Sequence, residues 1–181
     1  MKIISIQNLT TTPYLNLKST TYENKTGKLQ NYYWAERPGN KRAVMIVGIT
    51  EQKALLIIKE YRVPLAGFEY GFPAGIIEAG ENVVEAADRE LREETGYRIK
   101  AAIRPPSPFV YNTSGITDES ICILFALIEP TGEGTKLEES EDIEAFLVSR
   151  NMITHLLSDP DKKFAAKAWI ILQHFSLYGE I

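Results

Sequence analysis

Glu90, Glu93 and Glu94 fall at i, i+3 and i+4 of a segment that reads as a helix, so their carboxylates gather on one face. Like charges at that spacing destabilise an isolated helix, and a cation must compensate for them. A hard divalent ion suits this face, because magnesium takes a few carboxylates and completes its shell with water and phosphate oxygens. Arg89, beside the cluster, can brace one carboxylate as a fixed ion pair. Gly75 and Gly80 bracket the loop that enters the helix, where glycine lets backbone groups approach a ligand closely. For one glutamate taken alone, a solvated acidic face is the ordinary alternative. The glycines are likewise compatible with plain turn chemistry.

The helix carrying these residues starts around Glu81 to Val84 and stops at Gly96. Val84, Ala87 and Leu91 fall at i, i+3 and i+7 and predict an apolar stripe that packs on a sheet. Upstream, Thr20 to Tyr22 and Leu29 to Glu36 are rich in residues that suit pleated surfaces. Ala43 to Ile49 and Ala54 to Ile58 are apolar strands around a polar turn, and Tyr61 to Pro64 ends that hairpin. Downstream, Ile121 to Ile128 reads as a buried strand and Ile143 to Val148 as another. Ser149 is placed to cap a helix through Leu157. Asp159-Pro160 predicts the start of a last helix that ends before Gly179, with Ala165, Ala168, Trp169 and Leu172 on its apolar face. Strands, an inserted helix, more strands and then helices predict a mixed sheet with helices on its faces.

The 181-residue length fits one domain with a real core, and 44% apolar and 24% charged residues are the shares of a globular protein. A net charge of -4 gives no basic field for bulk nucleic-acid binding. Cys122 is the only cysteine and sits in an apolar run, as a small core residue would. The longest apolar run, Ile121 to Ile128, is too short to span a bilayer, and Met1 to Leu9 lacks the features of a signal peptide. A cytoplasmic protein without membrane attachment is expected. His155 and His174 have no partner spacing for metal or nucleophilic work and read as ordinary helix residues.

Residues 75 to 97 follow the pattern G-x5-E-x7-R-E-U-x-E-E-x-G-U, with U a bulky apolar residue: Gly75, Glu81, Arg89-Glu90-Leu91, Glu93-Glu94 and Gly96-Tyr97. This resembles the Nudix box, the signature of enzymes that hydrolyse a nucleoside diphosphate linked to another group. Tyr97 stands where that family usually has an aliphatic residue. The resemblance implies an α/β/α sandwich around a mixed sheet, with residues 43–181 as the hydrolase domain. It also implies residues 1–42 as a small N-terminal β extension beyond that domain.

Further segments resemble the ADP-ribose and nucleoside diphosphate sugar pyrophosphatase branch. They are Ala43 to Val47, Ile58 to Arg62, Phe72 to Gly75, Ser114 to Glu119, Glu139 to Ile143 and Val148 to Arg150. By that resemblance, Glu90, Glu94 and the carbonyl of Ala74 match metal ligands. Glu93 matches a carboxylate that holds metals or water. Glu139 matches the general base and Glu141 a further metal ligand, in an acidic loop where a shift of register would exchange the two. Arg62 matches a substrate-contacting arginine whose guanidinium could clamp a phosphate, against the alternative of an ion pair with Glu60 or Glu69. Arg37 resembles a second such arginine more loosely, with a solvated turn residue as its alternative. Gly115 matches a glycine of the substrate pocket. Trp34, in the cluster Tyr32-Tyr33-Trp34, can stack on a nucleobase, although strand aromatics also fill cores and dimer interfaces. The branch often has proline where Ser114 stands, and glutamate where Gly71 stands. These departures leave the group beyond the diphosphate open.

The resemblance therefore implies a Mg2+-dependent pyrophosphohydrolase, with Mn2+ as a substitute ion. Its substrate would be a nucleoside diphosphate sugar, ADP-ribose first, cut to a nucleoside monophosphate and a sugar phosphate. GDP-mannose or another nucleotide sugar is the alternative substrate. A domain that senses a nucleotide sugar without cutting it is the alternative class. A homodimer is implied as well, with the N-terminal sheet crossing to line the partner's pocket.

Overall fold

The computed structural model describes residues 1–39 and 42–181. In chain order the strands begin with β1 (Lys2–Asn8), β2 (Asn16–Glu23), β3 (Leu29–Glu36), β4 (Ala43–Ile49) and β5 (Leu55–Arg62). After a 3-10 turn at Val63–Leu65 come β6 (Gly67–Gly71), β7 (Ala74–Ile76), helix α1 (Val83–Thr95), β8 (Tyr97–Ala102) and β9 (Val110–Tyr111). The chain continues through β10 (Ser120–Pro130), β11 (Ile143–Val148), helix α2 (Arg150–Ser158), β12 (Lys163–Phe164) and helix α3 (Ala166–Tyr178). It divides into two compact units, residues 1–43 with 109–121, and residues 44–108 with 122–181.

The first unit is built on the antiparallel sheet β1-β2-β3. Asn24 starts the β2–β3 turn: its side-chain oxygen accepts from the N–H groups of Thr26 and Lys28, an arrangement that closes the chain on itself. A bridge from Ala35 to Thr117 and a hydrogen bond from Ala35 N–H to the Ile116 carbonyl join the 109–121 segment to β3. Within that segment β9 pairs with the first two residues of β10.

The second unit holds the larger, mixed sheet. β6, β5 and β4 are successive neighbours, with β11 antiparallel to β5, β7 beside β4, and β12 parallel to β6. Val44 to Val47 and Leu55 to Ile58 are buried without alternation, as expected of strands covered on both faces. α1 covers one face, where Ala86, Ala87 and Leu91 meet Val44, Ile46, Leu56, Leu124 and Ile128 in one core. Ile153 of α2, and Ala168, Leu172 and Phe175 of α3, are buried too. No helix among the described residues is long and apolar enough to cross a membrane.

Asn82 caps α1 by accepting from Val84 and Glu85 N–H, while Glu85 reaches back to Asn82 N–H at 2.9 Å. This reciprocal box explains why the helix starts at Val83. Gly96 ends it with φ of 72°, a left-handed conformation that glycine adopts without a steric penalty. Asp88 fixes the helix to β8 by accepting from Ile99 N–H at 2.7 Å.

Three sequence expectations need correction. Val84 is 40% exposed, and the buried stripe runs instead through Ala87 and Leu91 to Glu94. The last helix begins at Ala166, not at Asp159-Pro160. Asp159 accepts from Asp161 N–H at 3.0 Å, a local turn that competes with helix, and Lys163–Phe164 then pairs with β6. The strand read as Ala54 to Ile58 runs through Arg62, because β6 and β11 supply its far half with backbone partners.

Candidate active site on the box helix

The stripe that buries Ala87 and Leu91 carries Glu94 into the same environment, where it is 5% exposed. Its Oε2 accepts from Ala74 N–H at 3.3 Å. Burial pushes the Glu94 carboxyl up to about 9, reinforced by the charges of Glu90, Glu60 and Glu141 and opposed by the Ala74 N–H. Glu90 is raised as well, first by burial, with Arg89 opposing and Glu93 and Glu141 adding to the rise. A Cβ on Gly75 would lie 1.9 Å from the Glu90 carboxyl carbon, so that position needs glycine for the carboxylate to reach the loop.

Arg89 is the hub of the cluster. Its Nε and Nη2 grip both oxygens of Glu81 at 2.8 and 3.0 Å. Its Nη1 donates to Glu90 at 2.8 Å and to Glu93 at 3.3 Å, and its Nη2 donates to the Ile76 carbonyl at 2.9 Å. This bidentate pair, with the Glu78 N–H, holds the Glu81 carboxyl down at about 2. Glu81 thus anchors Arg89, a partnership the sequence did not reveal. Glu93 lies on the outer side of the helix, in a cleft of about 600 Å3 with Asp88, Arg89, Arg92 and Lys136. Glu90 and Glu94 do not line that cleft.

The acidic loop contributes unequally. Glu141 is half-buried, accepts from Glu138 N–H at 2.9 Å, and its charge acts on Glu60, Glu90 and Glu94. Glu139 is exposed. Arg62 donates Nη1 to Glu60 at 2.5 Å and faces Glu69 at 3.6 Å through Nε. The ion pairs weighed as its alternative are therefore both present. Glu60 is the carboxylate that sequence reading passed over. Its one signal was strand alternation, which puts Glu60 and Arg62 on the face of Leu56 and Ile58.

The remaining candidates lie in the first unit. Trp34 donates Nε1–H to Thr20 Oγ1 at 2.8 Å, and the Lys18 ammonium stands 5.4 Å from its ring. Tyr32 donates its hydroxyl to the Gly115 carbonyl at 2.6 Å. Both aromatics line a cleft of about 500 Å3 with Ile3, Tyr22, Tyr111 and Asp118. Arg37 donates Nε–H to Glu119 at 3.1 Å, and Asn112 holds the other Glu119 oxygen at 2.8 Å. Arg37 is thus a tethered residue, and Glu119 is a second partner that the sequence did not announce.

Among the described residues, no three or more His, Cys, Asp and Glu side chains stand in a metal-holding arrangement. Arg89 accounts for part of this, since it engages Glu90 and Glu93 itself. The donor chemistry still fits a hard divalent cation. Every candidate atom is an oxygen, and Glu94 is buried with no ion-pair partner among the described residues.

Over 149 residues the chain is 34% identical to the ADP-ribose pyrophosphatase of Saccharomyces cerevisiae, covering 75% of this chain and 64% of that protein. It is 38% identical over 95 residues to the ADP compounds hydrolase NudE of Escherichia coli, covering 52% of this chain and 50% of that protein. It therefore spans less than two thirds of either relative. A crystal structure of an ADP compounds hydrolase superposes with a TM-score of 0.78 at 27% identity, covering 98% of this chain and 94% of the other. The family profile for the NUDIX domain matches residues 39–170, a span that holds the whole carboxylate cluster and Arg62, and on that match this chain belongs to the Nudix family.

Proposed function

We propose that the chain is a Mg2+-dependent pyrophosphohydrolase of nucleoside diphosphate sugars, with ADP-ribose as the leading substrate and Mn2+ as a substitute ion. The observation that carries this reading is Glu94, a carboxylate buried among Glu90, Glu60 and Glu141 with no cation beside it among the described residues. Nudix hydrolases generally require a divalent metal ion. The relatives named ADP-ribose pyrophosphatase and ADP compounds hydrolase support the substrate class.

Glu90, Glu94 and the Ala74 carbonyl would hold the ion. When bound, such an ion offsets the negative charge of the diphosphate and lowers the pKa of adjacent water. Arg89 keeps Glu90 and Glu93 in fixed orientations, so little reorganisation remains for the reaction itself. Glu139, exposed at the tip of the acidic loop, takes the proton of the attacking water. Glu141 lies nearer the box carboxylates and serves the ion. Arg62, about half exposed, turns the free edge of its guanidinium to a phosphate oxygen. Attack on one phosphorus releases a nucleoside monophosphate and a sugar phosphate.

Residues 1–42 serve as a dimerisation sheet and residues 43–181 as the hydrolase. The exposed apolar side chains of the first unit, among them Ile3, Ile6, Leu29 and Tyr33, support a homodimer that covers them. Trp34, Arg37 and Gly115 then belong to the substrate pocket, with the aromatic ring stacking on the base.

The test is product release from a panel of nucleotide sugars, with Mg2+, with Mn2+ and with chelator. Ion-dependent turnover led by ADP-ribose is expected. A folded chain that binds a nucleotide sugar and cuts none of them under any of these conditions refutes the enzyme reading.

A further inference from the structure

Alternate residues of β5 present Leu56, Ile58, Glu60 and Arg62 on one strand face. Leu56 packs in the core with Ala87 and Leu91 of α1, and Ile58 is buried next along the strand. α1 carries its own buried stripe through Ala87 and Leu91 to Glu94. Strand and helix stripes thus both change from aliphatic to carboxylate, and the charge of Glu60 acts on Glu94. Glu60 is the strand's counterpart of Glu94.

The Glu60 side chain is only 17% exposed, with its carboxylate 2.5 Å from Arg62. Glu69 stands directly opposite Glu60 on β6 and faces the same guanidinium at 3.6 Å. Like charges directly across a strand pair repel, and one arginine here serves two carboxylates. Glu141 adds a third negative charge close enough to act on Glu60. This side of the cluster therefore carries more negative charge than Arg62 can offset.

We propose that Glu60 is a further carboxylate of the divalent-cation site, facing the ion from β5 while its other contact is Arg62. This rests on reading the box helix as a cation site. The experiment measures Mn2+ binding to the full chain without substrate, from the electron paramagnetic resonance signal of free Mn2+. Thermal unfolding in chelator verifies that each variant is folded.

Glu60→Gln should weaken Mn2+ binding about tenfold or more, the effect typical of losing a partner of a metal site. Glu60→Asp should weaken it too, because it keeps the charge but withdraws the carboxylate by one methylene. A Glu60→Gln chain within about twofold of wild type overturns the proposal. So does a Glu60→Asp chain that binds like wild type while Glu60→Gln does not, since charge alone would then suffice. Glu94→Gln separates the two levels. Loss in Glu94→Gln with none in Glu60→Gln removes Glu60 alone. Wild-type binding in Glu94→Gln removes the cation site, and the proposal with it.

Discussion

The box helix and the N-terminal sheet depart from ordinary burial in opposite directions. Glu94 is 5% exposed on the helix, whereas Ile3 on β1 is 59% exposed. Charged side chains are almost never buried without a partner, and contiguous apolar surface is seldom left open on a monomer. On the function proposed above, each exception marks a missing partner of a different kind. Arg89 engages Glu81, Glu90 and Glu93 but leaves Glu94 without an ion pair among the described residues, a place that the proposed ion would fill. The sheet leaves apolar side chains exposed, which the proposed homodimer would cover. The proposed function thus places a cation in one unit and a protein face on the other.

The strongest way to break this contrast is Glu94→Gln. It should leave the fold intact and lower turnover by about two orders of magnitude or more, because metal stabilisation is worth several kcal/mol. Circular dichroism and kcat at saturating Mg2+ check it, and near-normal turnover contradicts the assignment. Glu139→Gln should lower kcat about a hundredfold with little change in KM, as loss of a general base does. If Glu141→Gln alone gives that signature, the loop register is shifted by two. If neither substitution changes kcat, the base lies outside the loop.

On the sheet side, deleting residues 1–40 should convert a dimer to a monomer and raise KM. Light scattering at about 20 µM reads the first effect, at a concentration above the Kd of a stable pair. A wild-type chain that is already monomeric there removes the dimer. An active truncated monomer with unchanged KM removes the shared pocket. Replacing Ile3 and Ile6 with glutamate addresses the same surface without removing a strand, and should give the same shift.

The smallest expected effect is on stability. The Glu94 carboxyl sits at about 9 in the fold against an ordinary 4.5, so between those values the folded chain binds more protons than the unfolded one. Its contribution is fully present below 4.5 and is lost as pH rises through about 9. The metal-free chain should therefore melt several degrees lower at pH 8 than at pH 5.5, by a margin on the order of a few kcal/mol. Glu94→Gln should abolish that part of the difference, and Mg2+ should raise the wild-type Tm more at pH 8. Melting curves of both proteins in chelator decide it. An equal pH dependence in the two would show that Glu94 is not the group responsible.

Legibility followed the range of the forces involved. The box helix was readable because its signals are local: the carboxylate spacing and Gly96 act within a few residues. Its apolar stripe was read one position wrong, since Val83 and Val84 are equally apolar and only the sheet decides which one packs. The helix expected from Asp159-Pro160 failed for a similar reason. Pairing of Lys163–Phe164 with β6 is a contact between distant segments, and it outcompeted the local helix start.

The amino-acid sequence by itself determined the family, the box helix, the catalytic carboxylate candidates and the cap at Ser149, all set by residue type and short-range spacing. Only the tertiary structure decided which carboxylates are out of water. It buried Glu94 and left Glu139 exposed, placed the charge of Glu60 on β5 where it acts on Glu94, and divided Arg62 between two glutamates. Desolvation and long-range charge depend on what packs across a side chain from elsewhere in the chain, and no spacing along one segment encodes that.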